Sequence, residues 1–126
     1  MTSRSIGYAR TSGGGDTRQA AGLEVQVKAL KDAGCAVVFQ EIVSTRTAEK
    51  DRHQLQAALN AVVEGDELVI TALSRLGRTQ REVINRLHDL QERGIHVRTL
   101  DGLVNTKAMG KMAPVLIGLL TGLNAV

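Results

Sequence analysis

Stretches of strand composition alternate along this chain with stretches of helical period, and no two strands are joined closely enough for a hairpin. Residues 4–10 read as a first strand, the apolar run 36–39 as a second, 67–72 as a third and clearest one, and 95–100 as a fourth. Between them, Leu23, Val27 and Leu30 share one helix face, which Gly34 ends. Leu55, Leu59 and Val62 mark a second helix, with Asp51 placed to cap it. Val83, Leu87 and Leu90 mark a third, stopped at Gly94. Parallel neighbours require crossovers of this kind, so the alternation predicts an α/β fold. We expect a mostly parallel central sheet of four to five strands, flanked by helices.

The 126 residues support one domain with a real core. One cysteine, Cys35, excludes a disulfide framework and a cysteine-rich zinc site, and the three scattered histidines have no ligand spacing. No cofactor or metal is therefore expected. The first residues carry no apolar leader segment, which leads us to expect a cytoplasmic protein. Net charge is only +3, but eleven of the sixteen cations are arginine. Arginine is the cation suited to gripping phosphate through two parallel hydrogen bonds.

From Met109 to Val126 the pattern changes, and the residues are apolar nearly all round a helix. Such a helix needs partners on every side, and the Gly118 and Gly122 pair fits close helix packing. We read it as a subunit-interface helix, with residues 1–105 as the domain proper and 106–126 as the start of a long helix cut before its end.

Two places could carry chemistry. Ser12 follows the first strand on a loop containing Gly13, Gly14 and Gly15. Arg75 and Arg78 follow the third strand, in Leu73-Ser74-Arg75-Leu76-Gly77-Arg78. In a parallel sheet both would emerge at the carboxyl edge, where ligands bind. Placed three apart on one helical turn, the two guanidinium groups would converge, and an anion such as phosphate would offset their repulsion. No histidine is placed to form a Ser-His-Asp triad, and the glycine triplet fits no nucleotide-binding fingerprint. The residues 44–53, the most polar stretch, read as a loop.

Gly7-Tyr8-Ala9-Arg10-Thr11-Ser12 resembles the Gly-Tyr-x-Arg-x-Ser opening of the serine recombinases, the resolvase/invertase family. Leu23-Glu24-Val25-Gln26, Asp51-Arg52, Glu64-Gly65-Asp66, Ser74-Arg75-Leu76-Gly77-Arg78 and Gly110-Lys111-Met112 follow in the family's order. The resemblance implies a resolvase-like catalytic domain that cuts and rejoins DNA. Ser12 would attack a backbone phosphate to give a 5′-phosphoserine and a free 3′-hydroxyl, without metal or external energy. Arg10, Arg52, Arg75 and Arg78 would surround that phosphate, with Tyr8 from the opening motif, Ser44 and Gln19 supporting the site. DNA is the implied partner, gripped mainly by a region beyond Val126. The last helix would form a homodimer that rearranges into the tetramer exchanging strands. The sequence departs from the family's pattern at Ser74, commonly Asp, at the glycine triplet, and in the longer loop from Ser44 to Arg52.

Two other readings compete. A non-enzymatic relative pairing DNA sites would fit Ser74, but intact Ser12 and four arginines oppose it. A small nucleotide-binding or phosphatase domain would use the glycine loop and would need a base pocket.

Overall fold

The computed structural model describes residues 4–11, 17–42, 53–77 and 79–124, the backbone alone for 17–21 and 123–124. Strands β1 (Ser5–Thr11), β2 (Val37–Ile42), β3 (Glu67–Ile70) and β4 (His96–Thr99) form one sheet in the order β2-β1-β3-β4. Every pairing is parallel. The helices are α1 (Thr17–Asp32), α2 (His53–Ala61), α3 (Gln80–Glu92), α4 (Thr106–Met109) and α5 (Met112–Asn124). A single 3-10 turn, Leu73–Leu76, follows β3.

Alternation of side chains along each strand divides the core in two. Ile6, Tyr8, Leu68, Ile70 and Val97 face Leu55, Leu59 and Val62 at α2, Val83, Leu87 and Leu90 of α3, and Ile117 of α5. Ala9 and Val69 face the other way, onto Leu23 and Leu30 of α1 and onto Cys35. Thus α1 covers one face while α2, α3 and α5 cover the other. Leu30 and Leu55 are fully buried, and truncating either to alanine would cost about 2–5 kcal/mol.

Most element boundaries match the reading from sequence, with small shifts. Strand β2 continues to Ile42 because its ladder with β1 runs on to Thr11, and polar Gln40 and Glu41 hide that continuation in the sequence. His53, expected in the polar loop, opens α2. The positive φ values of Gly34 (103°) and Gly94 (74°) mark where the chain turns out of α1 and α3.

The carboxyl end of α2 is closed by arginines. Arg93 Nη2 donates to the carbonyls of Leu59 and Val62 (3.0 Å each), and Arg4 Nη2 donates to that of Ala61 (2.9 Å). These satisfy helix carbonyls that have no partner within the helix. Buried Asp66 ties the same corner to β1, accepting from the Arg4 guanidinium (2.8 Å), the Arg4 amide and the Val63 amide. The Arg4 hydrogen bond, helped by those amides and opposed by burial, holds the Asp66 carboxyl below its ordinary value of 3.8.

The last segment is two helices. Thr106 is buried against β4, its hydroxyl accepting from the Val97 amide (2.8 Å). Gly110 then adopts φ 57°, ψ −126°, which a side chain would strain, and the chain restarts as α5. Ala113 and Ile117 of α5 are buried, with Ile117 in the core beside α3. Met112, Val115, Leu116 and Leu119 form the opposite, exposed stripe. The helix expected to be covered on all sides therefore has one covered face and one open one. No helix among the described residues is long and apolar enough to cross a membrane.

Candidate active site

The strand order creates a divide. The chain leaves β1 through α1 on one face to reach β2, and leaves β3 through α3 on the other face to reach β4. Between the carboxyl ends of β1 and β3 these connections part, which is where open parallel sheets bind ligands. Strand β1 keeps register with β3 only as far as Gly7 but with β2 as far as Thr11, so its last residues project beyond β3.

That projecting end needs other partners, and α1 provides one. The Arg10 amide donates to Gln26 Oε1 (3.3 Å), and the Arg10 carbonyl accepts from Gln26 Nε2 (2.9 Å). One side-chain amide thus satisfies both main-chain polar groups of a residue that would otherwise face an empty ladder position. The Arg10 side chain, 2% exposed, spans the divide and donates through Nη2 to the Ser74 carbonyl (3.1 Å). It is therefore the main chain of residue 74 that receives Arg10, while the Ser74 residue itself is exposed. Ser74 keeps this link without supplying a carboxylate.

Tyr8 lies two residues before Arg10, on the same face of β1. It is fully buried and donates its phenol hydrogen to Glu41 Oε2 (2.5 Å). Glu41 also accepts from the amides of Gln54 (3.3 Å) and Leu55 (3.1 Å). A carboxylate there meets unpaired N–H groups and the positive end of the α2 dipole. Tyr8 and Glu41 so fix where α2 begins, one residue after Arg52.

Arg75 occupies the 3-10 turn after β3, half-buried. Gly77 follows in extended conformation, and the approach of α3 requires glycine there, since a Cβ would stand 2.7 Å from Glu82 Cβ and 3.1 Å from the Val83 nitrogen. Helix α3 starts only at Gln80, under a capping box in which Thr79 Oγ1 accepts from the Glu82 amide and Glu82 accepts from the Thr79 amide. Extended Gly77 separates the 3-10 turn of Arg75 from α3, and the expected pairing of Arg75 with Arg78 falls outside the described residues.

Buried polar atoms at this edge without a hydrogen-bond partner among the described residues include Thr11 Oγ1 at the end of β1, Thr71 Oγ1 beyond β3, and Arg75 Nε. Buried groups of this kind are normally satisfied, so an edge that leaves several open is suited to a polar ligand. Arg10 and Arg75 give that edge positive charge.

Of the residues expected at the site, the structure brings Tyr8, Arg10 and Arg75 to one edge. Ser12, Ser44, Arg52 and Arg78 lie outside the described residues, as does the side chain of Gln19. Gln26 and Glu41 were not expected. Gln26 carried a signal, being a polar residue on the same helical face as Leu23, Val27 and Leu30. Glu41 carried only a weak one, an acid just beyond an apolar strand.

A family model described as the resolvase N-terminal domain matches residues 5–125. The serine recombinase gin of Escherichia phage Mu is 38% identical over 108 residues, covering 84% of this chain and 52% of that protein. The DNA-invertase of Escherichia phage P1 is 35% identical over 107 residues, covering 84% and 54%. The transposon Tn3 resolvase of Escherichia coli is 33% identical over 117 residues, covering 90% and 60%. The chain thus spans about half the length of the curated relatives it matches. Among solved structures, the N-terminal catalytic domain of TP901-1 integrase superposes with a TM-score of 0.69 at 16% identity, covering 97% of this chain and 94% of that one. A resolvase family site-specific recombinase from Streptococcus pneumoniae gives 0.63 at 12% identity, covering 98% and 89%. These two likenesses concern the fold.

Proposed function

Given that the chain belongs to the resolvase family of serine recombinases, we propose that it is the catalytic domain of a site-specific DNA recombinase, with Ser12 as nucleophile. The observation that carries this reading is Arg10 reaching from the end of β1 to the turn that holds Arg75, across the sheet's switch point. In the reaction Ser12 Oγ bonds to phosphorus and the bond from phosphorus to O3′ breaks. The 3′ oxygen leaves as a hydroxyl, and the 5′ side stays on the enzyme as a phosphoserine diester. Attack by an exchanged 3′-hydroxyl reverses these steps. One phosphodiester is exchanged for another, so no external energy is required.

Negative charge gathers on the equatorial phosphate oxygens in such a transfer, and arginines preplaced at that point stabilise it. Arg10 and Arg75 take this role, joined by Arg52 and Arg78, which neighbour the α2 and α3 starts in sequence. Arginine stays protonated in proteins and does not serve as the base for Ser12. Gln26 positions Arg10 by holding its main-chain amide and carbonyl, and Tyr8 with Glu41 positions the start of α2. Ser44 and Gln19 remain candidates for supporting contacts. The exposed stripe of α5 fits a homodimer interface, and the tetramer of strand exchange would form by rearranging it.

The test joins the chain to a DNA-binding domain of known site and incubates it with end-labelled site DNA in EDTA. A denaturing gel should show a covalent protein–DNA adduct that Ser12→Ala abolishes. Bound DNA with no adduct, even after an activating change in α5, would overturn the assignment in favour of a site-pairing protein without chemistry.

A further inference from the structure

The turn between β3 and α3 is anchored without the side chain of Ser74. Leu73 packs against the core, and Leu76 is fully buried within it. The Arg75 amide donates to the Ala72 carbonyl (3.1 Å), and Arg10 Nη2 donates to the Ser74 carbonyl (3.1 Å). The turn opens at Ala72 with no side-chain cap. Ser74 itself is exposed, so the fold leaves its side chain free to vary. Its neighbour Arg75 is half-buried, and Arg75 Nε is closed off from solvent without a hydrogen-bond partner. No carboxylate among the described residues pairs with Arg75. The charge of Arg75 therefore stands undiminished at the edge between β1 and β3, and residue 74 is the exposed position next to it in the chain.

We propose that residue 74 sets the affinity of the site for the DNA backbone through charge alone. Serine there adds no negative charge beside Arg75, so a phosphate meets the full positive potential of the edge. A carboxylate at this position would lower that potential. The Arg10 link would persist, because a main-chain carbonyl receives it. The choice of DNA as ligand rests on the function proposed above.

The test uses the chain joined to a DNA-binding domain, with Ser12→Ala blocking cleavage, and follows binding to site DNA across a salt series. Ser74→Asp should weaken binding about three- to tenfold near 0.1 M salt and make its salt dependence shallower by up to about one released counterion. Ser74→Asn, of the same size without the charge, should lose less than half as much. Undiminished binding by Ser74→Asp would overturn the assignment, as would equal losses in both variants, which would mark a steric role. If Ser74→Asp melts earlier than the parent by circular dichroism, Ser74→Glu is read by the same criteria. With Ser12 intact, Ser74→Asp should raise the DNA concentration that half-saturates adduct formation and leave the maximal rate within about twofold. A fall in the maximal rate alone would overturn the assignment by placing residue 74 in the chemical step. If the parent protein forms no adduct, the proposed function fails, and the binding series alone decides the role of residue 74.

Discussion

Gln26 does at the residue scale what a neighbouring strand would do, since both polar atoms of its side-chain amide are bonded to the main chain of one β1 residue, Arg10. Gln26→Ala would leave the Arg10 amide and carbonyl without these partners, at about 1–3 kcal/mol of stability. Adduct formation should fall further than the loss of folded protein explains, because Arg10 is anchored through its main chain. Denaturant melts beside the gel assay would measure both, and equal losses would make Gln26 merely structural. The sequence marks Gln26 as anomalous, a polar side chain on a buried helix face, but not what it bonds. That depends on β1 outrunning β3, a register no local pattern encodes. Arg10 was legible only through the Gly7-to-Ser12 motif and its resemblance to the family's opening. Its reception by the Ser74 main chain was not, because carbonyl positions follow from the 3-10 turn.

At the scale of elements, the ends matter more than the middles. Arg4, Arg93 and Asp66 together lock the α2 exit against β1, and Glu41 with Tyr8 locks its entry. Asp66 is held ionised below its ordinary 3.8, so its contribution is fully present above that value and is lost as pH falls through its lower folded value. Asp66→Asn should therefore cost about 1–3 kcal/mol near neutral pH, with the gap from the parent narrowing below about pH 4. Urea melts across that range would show it, and a gap independent of pH would exclude the carboxylate as its source. The strands and helices themselves were readable from apolar period alone. The start of α3 was not, because the local Thr79–Glu82 capping box sets it and the apolar period does not.

For the whole molecule, the alternation of strands and helices settles the layers, and the order β2-β1-β3-β4 brings residues distant in sequence to one edge. Apolar composition announced α5 as a contact helix, but only packing on α3 shows which side is spent and which is open. Met112, Val115, Leu116 and Leu119 repeat at helical spacing and are 42–63% exposed. The chain should therefore self-associate with rising concentration in sedimentation velocity, and Leu116→Glu with Leu119→Glu should return it to a monomer. Association unchanged by both substitutions would place the contact elsewhere. Gly110 adds a mechanical property to this arrangement. The Thr106 hydroxyl fastens α4 to the β4 main chain, whereas α5 rests on α3 through side chains such as Ile117, and the glycine between them transmits little torque. A partner that twists α5 thus works on a pivoted lever, whose load enters the core through Ile117 rather than through α4.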